Sequence, residues 1–118
     1  MSLDAIFSPQ SVVVVGASTT PGKVGHDIFN NILKGGYTGT LYPVNPSARS
    51  VLSVRAYPTI TEVPDEVDLA IIILPPRLAV GAVEEAVAKG ARGVVIVSAG
   101  FREVGKEGAE IENRIVSI

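Results

Sequence analysis

A doubly wound α/β architecture with a mostly parallel sheet follows from three features of this 118-residue sequence. Four short runs are apolar and rich in β-branched residues, as strands buried on both faces are. Three other segments carry apolar residues at helical spacing. The two kinds of segment alternate along the chain, an order that implies parallel pairing through right-handed crossovers.

The first strand is Ser11-Val12-Val13-Val14-Val15, ending at Gly16. A loop follows from Gly16 to Gly25. Val24, Ile28 and Ile32 then recur every four residues, which predicts a helix stopped by Gly35-Gly36. Thr40-Leu41-Tyr42-Pro43-Val44 reads as the second strand. Pro43 within it implies an edge position, a strand end or a missing ladder bond. Asn45-Pro46-Ser47 is a turn. Residues 47–64 read as irregular, with a short helical turn near Thr61 to Val63. Asp65 and Asp68 precede the third strand, the wholly apolar Leu69-Ala70-Ile71-Ile72-Ile73-Leu74. Pro75-Pro76 ends it, and Pro76 suits the first turn of a helix. Val80, Val83 and Val87 are the expected apolar stripe of that helix, and Gly90 its cap. Val94-Val95-Ile96-Val97 is the fourth strand, ending at Ser98-Ala99-Gly100. Ile111, Ile115 and Ile118 predict a last helix that runs to the end of the chain. Such a helix normally crosses to a further strand, so the chain reads as one domain, residues 1–118, at the N-terminus of a longer protein.

Composition narrows the function. Hydrophobic residues make up 47% and charged residues 19%, which excludes a disordered chain. The net charge of −2 and the lack of a basic run argue against nucleic acid as a partner. Aromatics at 5% are too few for a base-stacking platform. Without cysteine there is no disulfide, no thiolate zinc site and no cysteine nucleophile, and a single histidine excludes a multi-histidine metal site. The apolar runs are too short for a membrane span. Met1-Ser2-Leu3-Asp4 lacks the features of a signal peptide, so the cytoplasm is expected.

Ligands of doubly wound sheets bind outside the carboxyl ends of the strands. Here those ends carry small residues and prolines: Gly16 onward, Val44-Asn45-Pro46, Leu74-Pro75-Pro76 and Ser98-Ala99-Gly100. In the first loop, Gly16 and Gly22 let the backbone turn tightly and approach a phosphate, which the amides and dipole of the following helix favour. Ser18, Thr19 and Thr20 add hydroxyls, and Lys23 adds a cation. The spacing, G-x5-G-x2-G, is neither the dinucleotide fingerprint nor the P-loop. A tight turn with close helix–strand packing explains the same glycines without a ligand. After the second strand, a dinucleotide enzyme usually has a carboxylate for the ribose. None occurs here until Glu62. Arg49 and Arg55 follow instead, able to meet an extra phosphate such as that of NADP or of 3′-phosphorylated adenosine. Each arginine is equally explained as part of a solvated loop.

Four motifs in order carry a resemblance. Ser11 to Ser18, Pro21-Gly22-Lys23-Val24-Gly25, Tyr42-Pro43-Val44-Asn45-Pro46 and Ser98-Ala99-Gly100-Phe101-Arg102-Glu103-Val104-Gly105 resemble the N-terminal CoA-binding domain of NDP-forming acyl-CoA synthetases, of the succinyl-CoA synthetase superfamily. Asp68-Leu69-Ala70-Ile71 and Leu74-Pro75 fit the same pattern, and the resemblance covers essentially the whole chain. It implies a Rossmann-like CoA-binding domain whose ligand is coenzyme A. It implies that Gly16, Ala17, Ser18, Thr19, Gly22 and Lys23 contact the diphosphate, and that Val44, Asn45 and Pro46 lie beside the adenosine. Leu74 and Pro75 would flank the pantetheine, and Ser98, Ala99 and Gly100 would line the path to the thiol. The family joins a carboxylic acid to CoA as ATP yields ADP and phosphate, through an acyl phosphate and a phosphohistidine. The histidine and the nucleotide-grasp module belong to other domains or a partner subunit, so no catalytic residue is expected in this chain. His26 is then a partly exposed helix residue, and Glu84-Glu85 belong to a solvated helix face. The family commonly has Lys after the Asn-Pro turn. Here that position is Ser47, with Arg49 as the replacement charge. The alternatives are an NAD(P)-binding domain of an oxidoreductase or redox sensor, and a non-catalytic CoA-sensing domain such as that of an acetyltransferase. The acyl substrate and oligomeric state, including a homo-oligomer, stay open.

Overall fold

The computed structural model describes residues 9–99 and 111–117. Strand β1, Ser11–Val15, lies inside a five-stranded sheet, one strand in from its edge. It pairs in parallel with β2, Thr40–Val44, on one side and with β5, Leu69–Ile72, on the other. Beyond β5 lies β6, Gly93–Ala99, also parallel. A two-residue hairpin, β3 (Ser50–Val51) and β4 (Val54–Arg55), sits after β2. A 3-10 turn at Ile60–Glu62 follows it.

Helix α1, Val24–Lys34, and helix α2, Pro76–Ala88, cover opposite faces of the sheet. Side chains alternate along a strand, so each face receives every second residue. Val12 and Val14 join a core with Phe29 and Ile32 of α1. Val13 and Val15 join another with Ala79 and Ala86 of α2. The all-apolar strands of the sequence are those with helices on both sides.

Three sequence expectations are corrected. The predicted last helix is a strand, β7, Ile111–Ser117, antiparallel to β6. A four-residue spacing also puts Ile111 and Ile115 on one side of a strand, so periodicity alone does not separate the two readings. Pairing with the open edge of β6 decides for the strand; Ile118 lies outside the described residues. In α2, Val80 and Val87 are 63% and 43% exposed. The buried side is Ala79 and Ala86, with Ala82 and Val83 packed against it. These alanines are one position out of phase with the valines, and their small side chains bring the helix close to the sheet. In α1 the fully buried residue is Phe29, and His26 is buried rather than partly exposed.

Pro43 is accommodated as expected of an edge strand. Its carbonyl accepts the Tyr57 amide at 3.0 Å on the outer side of β2. A residue's N–H and C=O point to the same side of a strand, so the absent proline N–H costs no bond to β1. The 57–60 segment therefore runs along β2 and forms one wall of the site described next.

Candidate functional site

The chain leaves β1 for β2 on one side and later returns to β5 on the other. The carboxyl ends of β1 and β5 are thus the topological switch point, where a crevice opens. Gly16 sits in it with φ +94°. Its amide donates to Val44 O at 3.1 Å, tying the end of β1 to the end of β2. A Cβ at Gly16 would lie 2.2 Å from Ile73 O, at the end of β5. A Cβ at Gly25, in the first turn of α1, would lie 2.0 Å from Gly16 O. Two of the loop's glycines are therefore demanded by packing alone. Gly22 differs: its φ is +94°, and nothing lies within 4 Å of an added Cβ.

The loop's amides divide into used and free. Thr20 N–H donates to Ser18 Oγ at 3.0 Å, Lys23 N–H to Thr20 O at 3.2 Å, and Gly22 N–H to Asp27 Oδ1 at 3.3 Å. His26 Nδ1 also contacts Asp27 Oδ1, at 3.3 Å. Asp27 is a carboxylate at the positive end of α1, a favourable placement. Among the described residues, the amides of Ala17, Ser18, Thr19, Val24, Gly25 and His26 have no protein acceptor. They are the donors this loop can offer an anion, with exposed Lys23 beside them in sequence.

Asn45 locks the second turn to this loop. Its Nδ2 donates to Ala17 O at 2.8 Å, while its Oδ1 accepts the amides of Ser47 at 2.8 Å and Ala48 at 3.0 Å. Its polar atoms are thereby spent on holding the two loops together. Arg49 is exposed just before the hairpin, and Arg55 lies over the Tyr57 ring, 5.7 Å from its centroid.

On the α2 face of the crevice is a cavity of about 370 Å³. The sheet supplies Val15, Gly16, Val44 and Leu74, and the turn after β2 supplies Pro46. One wall is Pro58, Thr59 and Ile60; the other is Leu78, Gly81, Ala82 and Glu85 of α2. Of the sequence candidates, Gly16, Val44, Pro46 and Leu74 meet here. Ala17, Ser18, Thr19, Gly22 and Lys23 lie on the loop that leaves its rim, and Pro75 is the N-cap of α2. Ser98 and Ala99 are the last residues of β6, and Gly100 lies outside the described residues.

Sequence reasoning missed both walls. Pro58 to Ile60 sat in a stretch read as irregular. Glu85, expected on a solvated face, is half-buried, and its Oε1 accepts the Ile60 amide at 3.3 Å. Leu78, Gly81, Ala82 and Glu85 stand at i, i+3, i+4 and i+7, one face of a helix. That pattern was present in the sequence, hidden by the more conspicuous valines.

Comparison with known proteins establishes the family and the fold. The chain is 47% identical over 113 residues to an acetate–CoA ligase (ADP-forming) II of Archaeoglobus fulgidus, covering 96% of this chain and 17% of the relative. It is 42% identical to the alpha subunit of acetate–CoA ligase (ADP-forming) I of Pyrococcus furiosus, covering 98% of this chain and 26% of the relative. The chain thus spans between a sixth and about a quarter of these relatives' length. Among solved structures, a dinucleotide-forming acetyl-coenzyme A synthetase 1 of Ca. Korarchaeum cryptofilum superposes with a TM-score of 0.80 at 38% identity. It matches 88% of this chain and 22% of that one. The family model for the CoA binding domain matches residues 10–116, and the chain accordingly belongs to the CoA-binding domain family, in the form found in NDP-forming acyl-CoA synthetases.

Proposed function

We propose that this chain seats coenzyme A for an acid–thiol ligase that forms acyl-CoA from a carboxylic acid and CoA as ATP yields ADP and phosphate. The observation that carries the reading is the union, at one switch point, of a loop with six free amides and an apolar cavity of about 370 Å³. The first suits a diphosphate and the second an adenosine. Ala17, Ser18, Thr19 and Lys23 are the residues for the diphosphate. Gly16 and Gly22 shape that loop, and Asn45 clamps it to the next turn. Val44 and Pro46 are those for the adenosine, and Leu74, which the resemblance assigns to the pantetheine, lines the same cavity and is reassigned to the adenosine with them. Arg49 is exposed close behind the Asn45 turn and is assigned to the 3′-phosphate. Pro75, Ser98 and Ala99 continue along the strand ends and are assigned to the path towards the thiol, together with Gly100, the next residue in the sequence.

The role of this domain is positional. It holds the carrier so that the thiol meets an acyl phosphate in a productive orientation, which replaces a bimolecular encounter by a near-unimolecular one. The phosphohistidine and nucleotide-grasp parts belong to the remainder of the synthetase, as fused domains or as a partner subunit. The length of the relatives supports this division.

Calorimetric titration with CoA, dephospho-CoA, NADH and NADPH tests the assignment. CoA is expected to bind, dephospho-CoA more weakly, and the nicotinamides not at all. Lys23→Glu is expected to weaken CoA about tenfold, as loss of a charge-assisted contact does, with the melting temperature unchanged. Binding of NADH without binding of CoA would instead establish the oxidoreductase-type reading.

A further inference from the structure

The geometry points to Glu85 as the residue that reads the base of the bound carrier, by accepting a hydrogen bond from its exocyclic amine. The inference rests on the CoA reading and adds to it a selectivity-determining side chain. Three observations lead to it.

The first is position. Leu78 and Glu85 are seven residues apart on α2, about 10 Å along the axis. The helix runs from the carboxyl end of β5 back towards the start of β6. Glu85 therefore stands at the inner end of the cavity, remote from the loop after β1. A carrier with its diphosphate on that loop and its adenosine in this cavity, as assigned above, points its base at Glu85.

The second is chemistry. Of the residues lining the cavity, Glu85 alone is charged; the rest are apolar or glycine except Thr59. Its Oε1 is taken by the Ile60 amide. Among the described residues no donor meets its second oxygen. A carboxylate on the wall of an otherwise apolar cavity, with one oxygen not taken by a protein donor, gains from a donor, and an aromatic amine supplies one.

The third is shape. Gly81 lies one turn before Glu85 in the middle of α2, where glycine costs helix stability relative to alanine. No contact requires it, since a Cβ there would meet nothing within 4 Å. The bare backbone leaves a flat wall opposite Pro58 and Ile60, a slot suited to a planar ring with Glu85 at its far edge.

The test compares CoA with an analogue that carries purine in place of adenine and so lacks only the 6-amino group. In the unaltered protein, loss of the amine is expected to weaken binding about tenfold. Glu85→Gln keeps an acceptor for the Ile60 amide but turns the second oxygen into a donor. In that variant CoA is expected to bind about tenfold more weakly, with both ligands now equal and the melting temperature retained. An amine that contributes nothing in the unaltered protein, or contributes equally in both proteins, overturns the role of Glu85 and leaves the CoA reading standing. Failure of CoA itself to bind would remove both.

Discussion

Gly16 and Gly22 share a φ of +94° but serve different ends. Gly16 is enclosed by backbone: the Ile73 carbonyl leaves no room for a methyl group. Gly22 is open, so only its conformation resists a side chain. Gly16→Ala combines a clash with backbone and a left-handed conformation, and is expected to cost about 3 kcal/mol or more. Gly22→Ala meets only the second penalty, about 1–2 kcal/mol. Chemical denaturation of the two variants checks the difference, and equal losses would contradict it. The sequence marks both glycines but cannot distinguish them, because the carbonyl that crowds Gly16 is that of Ile73, just past the end of β5 and 57 residues further on. Asn45 shows the same limit. It was legible as a turn residue, whereas its bond to Ala17 O, across two loops, depends on β1 and β2 lying side by side.

Helix α2 carries three stripes, and only the valine stripe is apolar enough to notice. The valine pattern at 80, 83 and 87 locates the helix correctly but rotates it, since Val80 and Val87 face outwards. The side that meets the sheet is built on Ala79 and Ala86, and the side that meets the cavity on Leu78, Gly81, Ala82 and Glu85. Close approach of helix to sheet selects small side chains, so burial here runs opposite to hydrophobic size. Gly81 is the position where stability and ligand space conflict. Gly81→Leu is expected to stabilise the helix by roughly 0.8 kcal/mol through propensity while its side chain fills the slot. Thermal melting with and without CoA reads both effects: a higher melting temperature for the free protein and a smaller rise on adding CoA. A variant whose CoA-induced rise matches the parent would show that the slot is not the ligand's place.

Across the whole molecule, a polar contact ties the edge of the sheet to the approach to β5. The Tyr42 hydroxyl donates to the Asp65 carboxylate, and the Tyr42 ring meets Tyr57 edge-on at 5.7 Å. Burial first, and then the Asp65 carboxylate, push the Tyr42 phenol up to about 12 from 10.0. A phenol that holds its proton more tightly when folded contributes stability that is complete below pH 10. This contribution is lost as the pH rises towards 12. Tyr37, whose hydroxyl donates to Pro9 O at 2.8 Å, is shifted the same way by burial and by Asp68. In Tyr42→Phe the alkaline loss should be smaller. The gap in melting temperature between parent and variant is expected to narrow between pH 9 and 12; a gap that stays constant would mean Tyr42 does not titrate on unfolding.

Local order set the alternation of elements, the parallel core and the strand ends at which the candidate site lies. Runs of β-branched residues, glycine stops and prolines act on their immediate neighbours, and those effects survive in a linear string. The resemblance over four motifs pointed to the CoA-binding domain family for the same reason, since each motif is a short contiguous stretch of sequence. The hand-off from helix to strand at Ile111–Ser117, the rotation of α2 and the conversion of Glu85 from a surface charge to a cavity wall needed the assembled sheet. Each depends on a partner far along the chain — the free edge of β6, the face of β5, the amide of Ile60 — and the free energy of such contacts exists only once those partners are adjacent.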